Sequence, residues 1–472
     1  MSEPLPADRL EGAMSAAFRP LTLGVVAIVT CVAFEAMAVT TAMPVIGDDL
    51  GAGAGYGLAF SMFLTASLLG SVLAGSRCDA EGPRRSLITG MALLVAGLVL
   101  SAAAGEFWLV TAGRAVSGLG SGAMVVALYV IIGQVYPSRL QPVIFGWVAT
   151  AWILPSMVGP LAAGLLAQYL SWRWVFAAAI PIVAVAAALV WPRVRHLGAP
   201  KNPELDPALG RRRALWGVFL AGGVFAAQWA GNEAAAAGSA ALGVLAAAGV
   251  LAAVAALMVL LPRGALWLRR GLPSVVATRG LINAAFVSAE AFMPVMLLAV
   301  YGVSPATAGI ALTAGAVGWA IGSFLQARVP GPRRHLLLAG GSGLLTLSIG
   351  GTGLLAGAQA PFWLLVAVWS LAGVAMGAAL SSTSVLVLDA SSAADRGQNS
   401  ASLQLSDQVG AVAGTTVGGV LLAVLVQQDP VGPEAGYALM WLVLAVFAVI
   451  GTAAGIRSAS VRPSTGKVHS QA

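Results

Sequence analysis

Fourteen stretches of 18–28 mostly apolar residues govern what this chain can fold into: 21–46, 56–76, 86–104, 107–134, 142–169, 173–192, 214–231, 236–261, 275–300, 306–327, 335–356, 361–388, 400–426 and 436–456. About 20 apolar residues in helical form cross the hydrocarbon core of a bilayer, whereas membrane strands need only ~9–11 and alternate in polarity. These stretches are too long and too uniform for strands, so each reads as a spanning helix. Only 9% of the 472 residues are charged and 59% are hydrophobic, against roughly 25% charged in soluble domains. A soluble enzyme, a nucleic-acid-binding module and a disulfide-stapled secreted scaffold are thereby excluded. Cys31 and Cys78 lie in an apolar stretch and at a helix end, which argues against a structural disulfide. The first stretch, 26 residues long, exceeds the ~7–15 residues of a signal-peptide core, so it is expected to remain as a span.

Basic residues orient such spans, because loops rich in Lys and Arg stay in the cytoplasm. Of the 25 Lys and Arg residues, Arg114 falls inside a span and Arg173 at the mouth of an opposite loop; the other 23 fall on one side. That side is expected to be cytoplasmic and to hold both termini. The opposite loops are short and slightly acidic, with Asp48, Asp49, Glu106, Glu233, Asp429 and Glu434. The net charge of +7 is therefore sorted across a membrane, and no nucleic-acid partner is expected. Basic loops are suited to anionic lipid.

Shifted by 255 residues, the chain aligns with itself. Phe107-Trp108-Leu109 meets Phe362-Trp363-Leu364, Gly118 and Gly122 meet Gly373 and Gly377, and Glu35 meets Glu290. Near the same offset, Gly82-Pro83-Arg84-Arg85 is echoed by Gly331-Pro332-Arg333-Arg334. Repeated halves about a central linker are the organisation of secondary transporters, with the site between the halves near the midplane. The expected division is a cytoplasmic tail 1–20, a six-helix half 21–192, a linker with two extra spans 193–274, a second half 275–456 and a cytoplasmic tail 457–472.

Several local motifs carry chemistry. The loop after the second span contains Gly75, Asp79, Gly82, Arg84 and Arg85; Gly82 permits a tight turn, and the charges can lock a cytoplasmic closure. Arg114, Ser117 and Ser121 share a helix face at i, i+3, i+7. Pro155, Gly159, Pro160 and Gly164 make a small-residue stripe that lets backbones approach closely. Phe34-Glu35 leads to Thr40-Thr41 and Pro44, and Ser171-Trp172-Arg173-Trp174 precedes Pro181.

Together these stretches resemble the major facilitator superfamily, and within it the 14-helix drug:proton antiporters. The resemblance is carried mainly by residues 21–192. It implies an all-α multi-span fold with two six-helix pseudo-repeats and two extra central helices. It also implies an antiporter role for the Pro155–Gly164 stripe and a proton-coupling role for Glu35, where Asp is usual. The chain departs from the family pattern at Ala80, Pro155, Ala163 and Ala179.

Glu35, Glu290 and Asp407 lie within spans, with Arg114 as the only base placed there. Unpaired charge at mid-membrane costs roughly 2.5–3.5 kcal/mol on insertion scales. Three acids against one arginine leave negative potential for protons or cationic substrates to neutralise. The alternatives are that Glu35 is a structural partner of Arg114 and that Asp407, near a helix end, reaches the headgroups.

The expected function is secondary active transport by alternating access: proton-coupled export of small amphipathic or cationic compounds, across a bacterial plasma membrane, by a monomer in contact with lipid. Alternatives are an importer, a lipid or metabolite exporter, or a non-transporting sensor or scaffold. No Gly-x4-Gly-Lys-Ser/Thr phosphate loop occurs, and the three histidines, His196, His335 and His469, lie in loop or tail sequence. Neither a cofactor, a metal nor enzymatic catalysis is expected.

Overall fold

The computed structural model describes residues 12–16, 18–52, 55–137, 140–197, 207–329, 333–391, 396–427 and 432–458. Fourteen helical segments are long and apolar enough to span a membrane. In the first half they are α1 (Arg19–Leu50), α2 (Tyr56–Glu81), α3 (Pro83–Ala102), α4 (Phe107–Val135), α5 (Gln141–Tyr169) and the pair α6 (Arg173–Ala177) with α7 (Ala179–Val194). Two extra helices follow, α8 (Pro207–Ala237) and α9 (Ala240–Leu260). The second half comprises α10 (Leu272–Tyr301), α11 (Pro305–Ala327), α12 (Arg334–Gly357), α13 (Phe362–Ala390), α14 (Arg396–Leu421) and α15 (Pro433–Arg457).

Local chemistry sets the ends. Proline occupies the first turn of α1, α3, α10, α11 and α15, where its missing N–H costs nothing. Ser239 and Ser304 cap α9 and α11 by accepting from the backbone N–H of Leu242 and Thr307. Gly51 and Gly302 close α1 and α10 in the left-handed conformation, at φ 65° and 60°, which a side chain disfavours.

Two spans differ from the continuous helices expected. The sixth breaks after Ala177, four residues before Pro181, whose absent N–H leaves that carbonyl without its helical partner. The thirteenth ends in a π-helical turn, Leu422–Gln427, against which α15 lies so closely that a Cβ on Gly436 would strike the Leu425 carbonyl.

The chain forms two compact units, one of residues 1–52 and 65–218, the other of 53–64 and 219–472. Within the first, α1 packs on α5 and α7, and α3 on α4. Within the second, α10 packs on α14 and α15, and α12 on α13. The internal repeat survives to the atom. A Cβ on Gly70 would meet the Leu119 carbonyl and one on Gly122 the Ser67 carbonyl; in the second unit a Cβ on Gly322 would meet the Val374 carbonyl and one on Gly377 the Trp319 carbonyl. Ser71 donates to the Gly122 carbonyl at 3.3 Å, and Ser323 to the Gly377 carbonyl at 3.4 Å. Glycine at these crossings brings the second and fourth helices of each repeat into backbone contact.

Candidate functional site

In the first unit, α1 and α4 bury one ion pair between spans. Glu35 is 1% exposed and Arg114 3%. Arg114 Nη1 donates to Glu35 Oε1 at 3.1 Å, and Ser117 Oγ donates to the same oxygen at 2.6 Å. The face shared by Arg114 and Ser117 is thus the one turned to α1. Both of these contacts fall on Oε1. A buried charge is tolerable in this setting only because it is paired and hydrogen-bonded.

The small-residue stripe of α5 lies beside this pair. Pro155, Gly159, Pro160 and Gly164 are all buried. A Cβ on Gly159 would sit 3.6–4.0 Å from Phe34, Met37 and Ala38, the residues flanking Glu35 on α1. The two prolines interrupt the hydrogen-bond ladder inside α5, so this stretch of α5 is held by packing as much as by its own backbone.

In the second unit the acids divide. Asp407 on α14 pairs with Arg279 on α10: Nε approaches Oδ1 to 3.1 Å and Nη2 donates to Oδ2 at 3.4 Å. Arg279 also donates to Thr383 Oγ1 at 3.2 Å and Ser384 Oγ at 2.9 Å, and Asn283 Nδ2 donates to the Asp407 carbonyl at 2.8 Å. Arg114 is therefore not the only base within the spans. Arg279, one of the 23 basic residues expected on one side, lies seven residues inside α10. Asp407 is tied to this cluster rather than free to reach the headgroups.

Glu290, half-buried on α10, has no ion-pair partner among the described residues. Its repeat-equivalent, Glu35, owes its partner to Arg114; the position 255 residues after Arg114 is Trp369. Trp369 is fully buried and stacks on Phe286 at 5.1 Å, with Trp319 edge-on to Phe286 at 5.3 Å. Phe286 precedes Glu290 by four residues, one turn along the same helix face.

The loop motif is held by Glu81, an acid whose place in the sequence carries no signal of that role. Arg85 Nη1 donates to Glu81 Oε2 at 2.8 Å and Arg77 Nε to the same oxygen at 3.4 Å. Arg85, and then Arg77, hold the Glu81 carboxyl below its ordinary range. Gly82 has φ 86°, and Arg84 donates to the Arg195 carbonyl at 2.9 Å, tying this turn to the end of α7. Gly75 has open space where a Cβ would be. The Asp79 side chain lies outside the described residues. The Ser-Trp-Arg-Trp motif clasps the far end of α1: Trp172 Nε1 donates to Asp49 Oδ2 at 2.9 Å, and Arg173, 4.2 Å above the Trp172 ring, donates to the Ala104 carbonyl at 3.0 Å. No cluster of three or more His, Cys, Asp or Glu side chains able to hold a metal occurs among the described residues.

Two repeated bundles, an inserted helix pair and charge buried between spans define a secondary transporter. The family model of the Major Facilitator Superfamily matches residues 25–289, more than half the chain, and the protein belongs to that superfamily. It is 31% identical over 194 residues to the acurin A biosynthesis cluster MFS-type transporter of Aspergillus aculeatus, taking in 41% of this chain and 34% of that protein. It is 30% identical over 197 residues to the MFS efflux transporter aclA of Aspergillus oryzae, 41% of this chain and 32% of that one. These matches span about a third of each relative's own length. Among solved structures, a peptide transporter POT in complex with sulfate superposes with a TM-score of 0.63 at 14% identity, covering 94% of this chain and 95% of that one. A D-xylose-proton symporter superposes with a TM-score of 0.61 at 14% identity, covering 92% and 97%. Such structural likeness establishes the fold.

Proposed function

We propose that the protein exports small amphipathic, cationic compounds in exchange for protons, by alternating access across a bacterial plasma membrane, with both termini cytoplasmic and the monomer as the working unit. The observation that carries this reading is the inequality of two repeat-equivalent acids. Glu35 is neutralised by Arg114 at 3.1 Å, whereas Glu290 has an aromatic residue, Trp369, where the repeat would place that arginine. A carboxylate with no base paired to it among the described residues, one turn from an aromatic cluster, suits a cation: the charge is answered by Glu290 and the apolar body by Phe286 and Trp319. Glu35 is the candidate coupling group, and Arg114 and Ser117 hold it in place. Asp407, anchored by Arg279, is a weaker candidate for coupling. The Pro155–Gly164 stripe lets α5 move against α1 next to Glu35, and the Gly75, Asp79, Gly82, Arg84 and Arg85 turn biases closure of one mouth. The efflux named for the Aspergillus oryzae relative agrees with export.

Purified protein in proteoliposomes with an imposed pH gradient tests this. Counterflow of protons with a lipophilic cation is expected. Glu290→Gln should slow cations while sparing neutral substrates, and Glu35→Gln should abolish gradient-driven flux while leaving binding measurable. PH-driven flux of normal rate in the Glu35→Gln/Glu290→Gln double variant would remove both residues from the mechanism.

A further inference from the structure

Between α9 and α10 the chain makes a short turn, 262–271, whose chemistry belongs to neither bundle. It carries Arg263, Arg269 and Arg270, with Leu266 and Trp267 between them. No Asp or Glu occurs from residue 234 to residue 289. None of the three arginines has an ion-pair partner among the described residues, and all three are exposed. Trp267 is 73% exposed, and it stands at the ends of two spanning helices, the depth where indoles favour the headgroup layer.

This turn is built rather than slack. Gly264 and Gly271 have φ 92° and 93°, and Leu268 has φ 51°, a conformation a leucine adopts only when its surroundings impose it. Ser274 Oγ donates to the carbonyls of Arg269 and Leu268 at 2.6 and 3.1 Å. Arg269 N donates to the Gly264 carbonyl at 3.0 Å, and Gly271 N to the Arg457 carbonyl at 3.4 Å. Ala265 is buried beneath the turn. The Arg269 side chain crosses Gly264 so closely that a Cβ there would collide with its Cδ, so this guanidinium is placed by the backbone.

We infer that the 262–271 turn is a docking site for the phosphodiester headgroup of an anionic phospholipid. Three guanidiniums with no counter-charge among the described residues supply charge complementarity and forked donors for phosphate oxygens, and Trp267 and Leu266 insert beside the acyl chains.

Full-length protein in nanodiscs of phosphatidylcholine, alone or mixed with phosphatidylglycerol, tests the site by melting temperature and by native mass spectrometry of retained lipid. Phosphatidylglycerol should raise the melting temperature and remain bound to the parent. Arg263→Gln/Arg269→Gln/Arg270→Gln should lose about a hundredfold in lipid affinity, the scale expected for removing three charges near a headgroup. Trp267→Ser should weaken retention without altering net charge. An equal loss from Arg211→Gln/Arg212→Gln/Arg333→Gln would make the attraction diffuse and overturn the site, as would undiminished retention in the first triple variant. A shift produced equally by inorganic phosphate in pure phosphatidylcholine would overturn the lipid assignment. Because the readouts require no transport, they stand apart from the proposed export.

Discussion

Glu35 and Arg114 are each affordable only because of the other. Removing one partner of a buried pair strands the second and costs about 3–5 kcal/mol in folded proteins. Arg114→Ala should therefore lower the detergent melting temperature sharply, while Ser117→Ala, which removes one bond to Oε1, should cost about 1–3 kcal/mol. Glu35→Asp should keep partial transport. The spacing of Arg114, Ser117 and Ser121 put the three on one helix face, since helical period alone determines that; that this face meets Glu35 came only with the packing of α1 on α4. Arg279 was illegible as a partner of Asp407, because 128 residues separate them and a basic residue near a span end reads as an anchor until α10 and α14 are packed. Reversing that pair, Arg279→Asp/Asp407→Arg, should recover surface expression that Asp407→Arg alone loses.

At the scale of elements, helix crossings and tethers decide behaviour. At Gly159 a Cβ would find ordinary contact distances to α1, so Gly159→Ala should be near neutral in stability, whereas Gly159→Leu should overpack the α1–α5 contact at about 1–3 kcal/mol and slow transport. The extra helix α8 is joined to α14 by Gln228, 1% exposed, which donates to Thr416 Oγ1 at 2.8 Å. Gln228→Leu should cost only about 0.6–2 kcal/mol, because the Thr416 hydroxyl retains its bond to the Val412 carbonyl at 2.7 Å. Thermal melts of the three variants check these magnitudes. The Glu81 carboxyl, held low by Arg85 and Arg77, contributes its contacts at every pH above the ordinary carboxylate range. Those contacts are lost as pH falls through its depressed value. In Arg77→Gln/Arg85→Gln its titration should return upward, as read by infrared difference spectra with Glu81→Gln as the blank. Apolar run length placed the spans, proline in the first turn marks the starts of α1, α3, α10, α11 and α15, and Pro181 explains the break after Ala177 once the helical ladder is drawn through it.

At the scale of the whole molecule, the proposed topology makes a direct expectation. A reporter inserted near Glu233, between α8 and α9, should lie outside, and one fused after Lys467 should lie in the cytoplasm; protection of both from external protease would refute the α8–α9 pair as a spanning hairpin. By itself the sequence determined the membrane class, the fourteen spans, the repeat and the identity of the two repeat-equivalent acids. These follow from apolar run length, helical period and self-similarity, which are properties of the chain in one dimension. Only the tertiary structure decided that Glu35 is paired while Glu290 has no ion-pair partner among the described residues, that Arg279 belongs to Asp407, and that Glu81 anchors the loop motif. Pairing depends on which helix faces are pressed together, and a glycine crossing that brings two backbones into contact carries no mark in sequence of the partner it meets.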